Sequence, residues 1–176
     1  MSMLSIRPAT AADIPAITRI YGHAVRHGTA SFELETPDEA EMMRRMRALR
    51  DAGYPYLVAE TDAVAGYAYA GAYRARPAYR FSVENSVYFD PKAQGRGAGK
   101  LIMQELIARC EHRGFRQMVA VIGDSANAGS IAVHRACGFE HTGVFRAAGW
   151  KFDRWLDVVL MQKALGPGDA TPGPAA

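Results

Sequence analysis

The chain has 176 residues, 49% of them hydrophobic and 22% charged, with a net charge of +3. That is enough for one domain with a sizeable core, and the composition is that of a globular protein, not a disordered or fibrous one. Basic residues are scattered outside "MMRRMRALR", no apolar run approaches the ~18 residues of a membrane span, and "MSMLSIRPAT" lacks a secretory pattern, so neither nucleic acid nor membrane is an expected partner.

"LSIRPA" reads as a short opening strand. Thr10 and Asp13 are spaced as a capping box, and Ile14, Ile17, Tyr21, Ala24 and Val25 recur at helical spacing until Gly28. "TASFELETP" is a loop, Pro37-Asp38-Glu39 opens a second helix through about Asp51, and Gly53 closes it. "YPYLVAE" and "AVAGYAYAGAYR" form a hairpin across "TDA". In the next strand, "RFSVENSVYF", Phe81, Val83, Val87 and Phe89 share one face, while Glu84, Ser86 and Tyr88 take the other. A third helix, "GKLIMQELIARCEHRG", puts Ile102, Leu106 and Cys110 on one side. "RQMVAVIG" reads as a buried strand, "NAGSIAVHRACGF" as a short helix closed by Gly138, and the run to Leu165 as two last strands. The Gly/Pro/Ala-rich residues 166–176 have nothing to bury and are expected to form a flexible tail beyond a domain of residues 1–165. The order predicts an α+β domain on one mixed, mostly antiparallel sheet of about seven strands, flanked by about four helices.

Cys110 and Cys137 fall in apolar helical patterns without metal-ligand spacing. They read as buried free thiols of a reducing, cytoplasmic compartment, and no metal is expected.

The chemistry starts at "QGRGAGK", Gln94 to Lys100, between a strand and a helix. Such a turn is an anion site, because the first N–H groups of the helix are unpaired and glycines allow close approach. A nucleotide-hydrolase loop would need Ser or Thr after Lys100, but Leu101 stands there. A dinucleotide fingerprint would need G-x-G-x-x-G after the first strand of a βαβ unit, whereas Gly95, Gly97 and Gly99 follow the fourth strand. Gln94-x-x-Gly97-x-Gly99 does resemble the Q/R-x-x-G-x-G/A signature of the GCN5-related N-acetyltransferases. "IRPAT..D" and "NAGSIAVHRACGF" resemble other motifs of that superfamily, and the likeness spans residues 4–165. "AYAGAYRARPAYRFSVENSVYFDP", "AVIG" and "RAAGWKFDRWLDVVLMQ" resemble its phosphinothricin (methionine sulfoximine) acetyltransferase branch.

The resemblance implies a single-domain acyl-CoA N-acyltransferase fold that transfers acetyl from acetyl-CoA to the α-amino group of a small amino-acid-like substrate. The amine would attack the thioester directly. It implies a pyrophosphate cradle from the backbone of Gln94, Gly95, Arg96, Gly97, Ala98, Gly99 and Lys100, with Asn127 on the cofactor arm. Main-chain groups of Val87, Tyr88 and Phe89 would hold pantetheine where the strand splays from its neighbour. Glu84 is a poor strand former and costly to bury, so it marks either an exposed face or a working site. The resemblance makes it the candidate base. His134, at a position where the superfamily often has tyrosine, is the candidate acid, with Tyr88 as substitute. Arg74, or else Arg76 or Arg80, would meet the substrate carboxylate, and Tyr73 and Phe32 would line its side-chain pocket. Trp150 and Trp155 would pack within the chain or form a homodimer contact. Two other functions stay open: acetylation of protein N-termini or lysines, which the bulky "ASFELETP" and "AYRARPAY" loops disfavour, and a non-catalytic acetyl-CoA-binding regulatory module, which the intact cradle and Glu84 disfavour.

Overall fold

The computed structural model describes residues 3–174. Its elements are β1 (Ser5–Pro8), α1 (Ile14–His27), α2 (Glu39–Asp51), β2 (Tyr56–Glu60), β3 (Val64–Ala72), β4 (Ser82–Phe89), α3 (Ala98–His112), β5 (Gln117–Gly123), α4 (Ala128–Ala136), β6 (Glu140–Lys151) and β7 (Arg154–Ala164). The strands form one seven-stranded sheet in the order β1-β2-β3-β4-β5-β7-β6. Every neighbouring pair is antiparallel except β4 and β5. This is the mixed sheet with four helices that the sequence pattern predicts.

Local chemistry sets the helix starts. Asp13 accepts a hydrogen bond from the Thr10 N–H at 2.7 Å, and hydrogen bonding from Arg7 pulls its carboxyl down to about 2. Asp38 accepts from the Glu41 N–H at 2.8 Å and caps α2.

The two faces of the sheet carry separate cores. On one, α3 buries Ile102, Met103, Leu106, Ile107 and Cys110 against Leu57, Ala68, Val83 and Met118. On the other, α1 and α2 bury Ile17, Ile20, Val25, Met42 and Met46 against Tyr56, Val58 and Tyr67. Each such large side chain contributes ~1.5–3 kcal/mol relative to exposure, so the packing holds both faces of β4 in place. Burial also pushes the Cys110 thiol up to about 12, which makes it a small apolar side chain and not a nucleophile.

One expectation is corrected. β5 is not buried throughout: Met118, Ala120 and Ile122 face the α3 core, but Val121 is 37% exposed. The reason is the reach of the helices. α1 and α2 lie over β2, β3 and β4, and leave that face of β5 uncovered. At the chain end, Arg116 donates to the carbonyls of Gly168 and Pro172 and to Thr171 Oγ1, at 3.0–3.1 Å.

Candidate active site

β4 and β5 pair only from Ser82↔Gln117 to Asn85↔Ala120, and then part. The phase of each strand follows from its antiparallel partner. The Tyr73 N–H donates to Ser82 O and the Asp90 N–H to Ala65 O, so Glu84, Ser86 and Tyr88 spend their backbone groups on β3. Val87 and Phe89 turn theirs to the open side. The Asp124 N–H donates to Asp157 O, which by the same alternation leaves Val121 and Gly123 facing the gap from β5. The expected main-chain contacts from Val87, Tyr88 and Phe89 therefore narrow to Val87 and Phe89. Tyr88 brings only its side chain.

The gap is a cleft whose lining includes Asn85, Val87, Tyr88, Val121, Gly123 and His134. Its two sides differ chemically because β4 alternates. Glu84, Ser86 and Tyr88 belong to the α1–α2 face. Val83, Asn85, Val87 and Phe89 belong to the α3–α4 face.

The cradle lies past the end of β4. Gly95 has φ +74° and Gly97 +79°, in the left-handed region that glycine alone enters without strain. Gly97 is the N-cap of α3, so the first N–H groups of that helix have no carbonyl four residues back; the Lys100 N–H turns to Gly97 O at 3.1 Å and the Gln94 N–H to Pro91 O at 3.4 Å, so the expected backbone cradle narrows to Gly95–Gly99. A Cβ on either glycine would meet nothing within 4 Å, so the space over the backbone is open. Arg96 and Lys100 are exposed beside it. The Gln94 side-chain amide turns back and donates to Phe89 O at 3.3 Å. Open N–H groups, a helix dipole and flanking cations suit a pyrophosphate. Asn127 caps α4 by accepting from the Ser130 N–H at 3.2 Å and donates to Gly123 O at 3.4 Å, which puts its amide at the cleft.

Glu84 is half-buried. Burial raises its carboxyl above the ordinary 4.5, and Arg74 partly offsets the rise. Among the described residues it has no hydrogen-bonded partner, so its oxygens are free to take a proton. Tyr88 packs edge-on to Tyr21 at 5.0 Å and along Tyr67 at 5.5 Å; burial holds its phenol protonated well above 10.

His134 is only 3% exposed. Its Nδ1 lies 2.7 Å from Ser130 O. A carbonyl only accepts, so Nδ1 carries the hydrogen. Nε2 is then the acceptor for the Asn85 amide at 2.8 Å. Burial lowers the imidazole pKa below 6.5. The expected acid is thus found as a neutral ring with no proton on Nε2. Asn85 was missed by the sequence reading. Its signal was there: a polar residue on the apolar face of β4, between Val83 and Val87.

Phe32 lies in the α1–α2 loop, against the positions a Cβ would take on Gly123 and Gly149. It covers the uncovered end of β5. Tyr73 meets Tyr79 edge-on at 5.5 Å, and the Arg74 guanidinium stacks over the Tyr73 ring at 4.5 Å. Arg76 and Arg80 are exposed in the same β3–β4 connection. The structure therefore gathers Glu84, Tyr88 and Phe32 on the α1–α2 side, and the cradle, Asn127 and His134 on the other.

A profile of the Acetyltransferase (GNAT) family matches residues 18–139. The chain belongs to the GNAT acetyltransferase family. It is 54% identical over 160 residues to a phosphinothricin N-acetyltransferase of Alcaligenes faecalis, covering 90% of this chain and 81% of that one. It is 41% identical to an L-methionine sulfoximine/L-methionine sulfone acetyltransferase of Salmonella typhimurium, covering 92% and 95%. Among solved structures, a phosphinothricin acetyltransferase from Sinorhizobium meliloti in complex with acetyl-CoA superposes with a TM-score of 0.95 at 49% identity, covering 99% and 94% of the two chains. The protein is an acetyl-CoA-dependent N-acetyltransferase of the acyl-CoA N-acyltransferase fold, and acetyl-CoA is its co-substrate. Among the described residues no helix is long and apolar enough to cross a membrane.

Proposed function

We propose that this GNAT acetyltransferase acetylates the α-amino group of a small amino-acid-like substrate such as phosphinothricin, methionine sulfoximine or methionine sulfone. The observation that carries the reading is the cleft between β4 and β5, with a phosphate cradle at one side and the half-buried Glu84 at the other. Acetyl-CoA lying along the cradle would bring its thioester into the gap. The backbone N–H of Val87 or Phe89, open to the gap, would polarise the thioester carbonyl as negative charge develops on its oxygen.

The acceptor enters from the α1–α2 side. Glu84 takes the proton of the attacking ammonium, directly or through one water, and its raised pKa matches that task. The amine nitrogen forms the new bond to the carbonyl carbon, the carbon–sulfur bond breaks, and the thiolate leaves. Tyr88 holds a proton to return to it, and the second proton lost from the nitrogen as the amide forms passes through water to the Tyr88 oxygen, restoring the phenol. His134 could do so only after Nε2 gains a proton and Asn85 turns Oδ1 toward it. Arg74, with Arg76 and Arg80 near it, supplies cations for the acceptor carboxylate, and Phe32 and Tyr73 supply apolar walls.

The enzyme works as a homodimer in this reading. Phe145, Trp150, Phe152 and Trp155 on the β6–β7 hairpin are each more than half exposed. β6 is also an edge strand. So large an aromatic surface is covered at least cost by a second copy. A cytoplasmic location fits the two free thiols and the use of acetyl-CoA.

The test is thiol release from acetyl-CoA with a panel of methionine sulfoximine, methionine sulfone, phosphinothricin, ordinary amino acids and a peptide. Turnover with the first three is expected. Turnover with the peptide alone would replace this reading with protein acetylation. Cofactor binding without thiol release would make the protein a binding module.

A further inference from the structure

Lys151 ends β6 and is 4% exposed, an unusual place for an ammonium. Among the described residues no carboxylate forms an ion pair with it. Its Nζ donates to the backbone carbonyl of Ser31 at 2.7 Å and lies 5.1 Å from the centre of the Phe152 ring. Burial lowers its pKa, and the field of Glu33 partly restores it. An apolar side chain of similar length would bury here at less cost. What the ammonium gains is one bond, and the other end of that bond is the loop between α1 and α2.

The Ser31 to Glu33 part of that loop is held from three elements. Tyr21 of α1 donates to Glu33 Oε1 at 2.8 Å, so the Ser31 hydroxyl, 2.9 Å from the Tyr21 oxygen, is the donor in that contact. Arg45 of α2 donates to Glu33 Oε1 at 2.6 Å. Lys151 of β6 supplies the third hold, on the Ser31 carbonyl, and two residues back Thr29 meets the Asp124 carboxylate. Phe32, between Ser31 and Glu33, is thereby pressed onto Gly123 and Gly149. A Cβ on Gly123 would sit 2.2 Å from Thr29 O and 2.9 Å from the Phe32 ring; one on Gly149 would sit 2.3 Å from that ring. Gly123 lines the β4–β5 cleft.

We propose that Lys151 is a positioning residue for the acceptor: by gripping the Ser31 carbonyl it fixes the α1–α2 loop and the Phe32 ring over the open end of the cleft. This rests on the reading that the acceptor binds on the α1–α2 side. It makes Lys151 a determinant of acceptor affinity, acting through the loop, which reaches the cleft at Ala30 but not the Gly95–Gly99 cradle that anchors acetyl-CoA. The cradle lies across the sheet and does not touch the loop.

The experiment compares wild type, Lys151→Met and Lys151→Arg in steady-state kinetics with L-methionine sulfone and acetyl-CoA, and in amide hydrogen exchange. Lys151→Met should raise the KM for methionine sulfone about tenfold or more, with kcat within about threefold and the acetyl-CoA KM unchanged. Lys151→Arg, which keeps a charged donor, should recover most of the loss. Exchange in Lys151→Met should quicken at residues 29–36 and nowhere else. An unmoved acceptor KM would overturn the proposal. So would both KM values and kcat shifting together, or a failure of both variants to fold, since each shows a role in general stability. If wild type itself acetylates no methionine sulfone, the substrate reading is what fails. The exchange arm then decides the clamp alone: quickening confined to residues 29–36 supports it, and an unchanged pattern overturns it.

Discussion

Replacing Glu84 by Gln keeps the shape of the side chain and removes its charge. The structure makes two opposite effects follow. Glu84 is half-buried between Gly71 of β3 and Val119 of β5, without a hydrogen-bonded partner among the described residues. Its carboxyl is raised by burial, with Arg74 opposing. A group whose folded pKa is raised contributes stability below the unfolded value, and that contribution is lost as pH rises through the folded one. The ionised carboxylate therefore costs stability at neutral pH. Glu84→Gln should be no less stable than wild type at acid pH and should gain on it as pH rises past 4.5. Turnover should move the other way. A positioned general base is worth about 10²–10⁴-fold, or roughly 3–5 kcal/mol of barrier. Acetyl-CoA affinity should not change, because the cradle lies beyond the end of β4. The assays are thiol release across roughly pH 4–9 and thermal melts over the same range. Wild type should show an ascending limb whose midpoint lies above 4.5; the variant should lose that limb and rise with hydroxide instead. Turnover within about threefold of wild type at every pH would refute the base. An equal loss of acetyl-CoA affinity would refute the division of the site into two sides.

Three further outcomes are expected. Gly97→Ala should place a side chain in a left-handed conformation at a cost of about 1–2 kcal/mol, deform the cradle and raise the acetyl-CoA KM about tenfold, with the acceptor KM unchanged; equal effects on both would argue against the cradle. His134 has a folded pKa below 6.5, so the unfolded state binds its proton first and stability falls as pH drops below 6.5. Urea midpoints should therefore fall more between pH ~7.5 and ~5.5 in wild type than in His134→Gln, and equal falls would show that His134 is not held neutral. Trp155→Lys should convert a dimer to a monomer in sedimentation; a wild type that sediments as a monomer at all concentrations tested would remove the dimer.

The hydrophobic periods and caps were sufficient for the order of elements. Helical spacing from Ile14 to Val25, the Asp38 cap and the strand alternation of β4 each depend on a few neighbouring residues, and local physics decides them. The glycine loop was legible for the same reason: Gly95 and Gly97 need left-handed backbone, and a helix start follows within one residue. That Glu84 faces away from Val83 and Val87 was also local. What the sequence could not reveal depends on where distant segments meet. The parting of β4 from β5 after Asn85 and Ala120 belongs to a parallel pairing between strands separated by a whole helix. It leaves the backbone groups of Val87 and Phe89 open, while pairing with β3 spends those of Tyr88. The neutral state of His134 depends on its burial, and its Nε2 meets Asn85, a contact across 49 positions in the chain. The burial of Lys151 depends on Ser31, across 120. Sequence by itself determined the order of elements and the face of β4 on which Glu84 and Tyr88 lie. Tertiary structure decided which proton each of them holds, because protonation follows from desolvation and hydrogen-bond partners, and those exist only once remote elements are packed together.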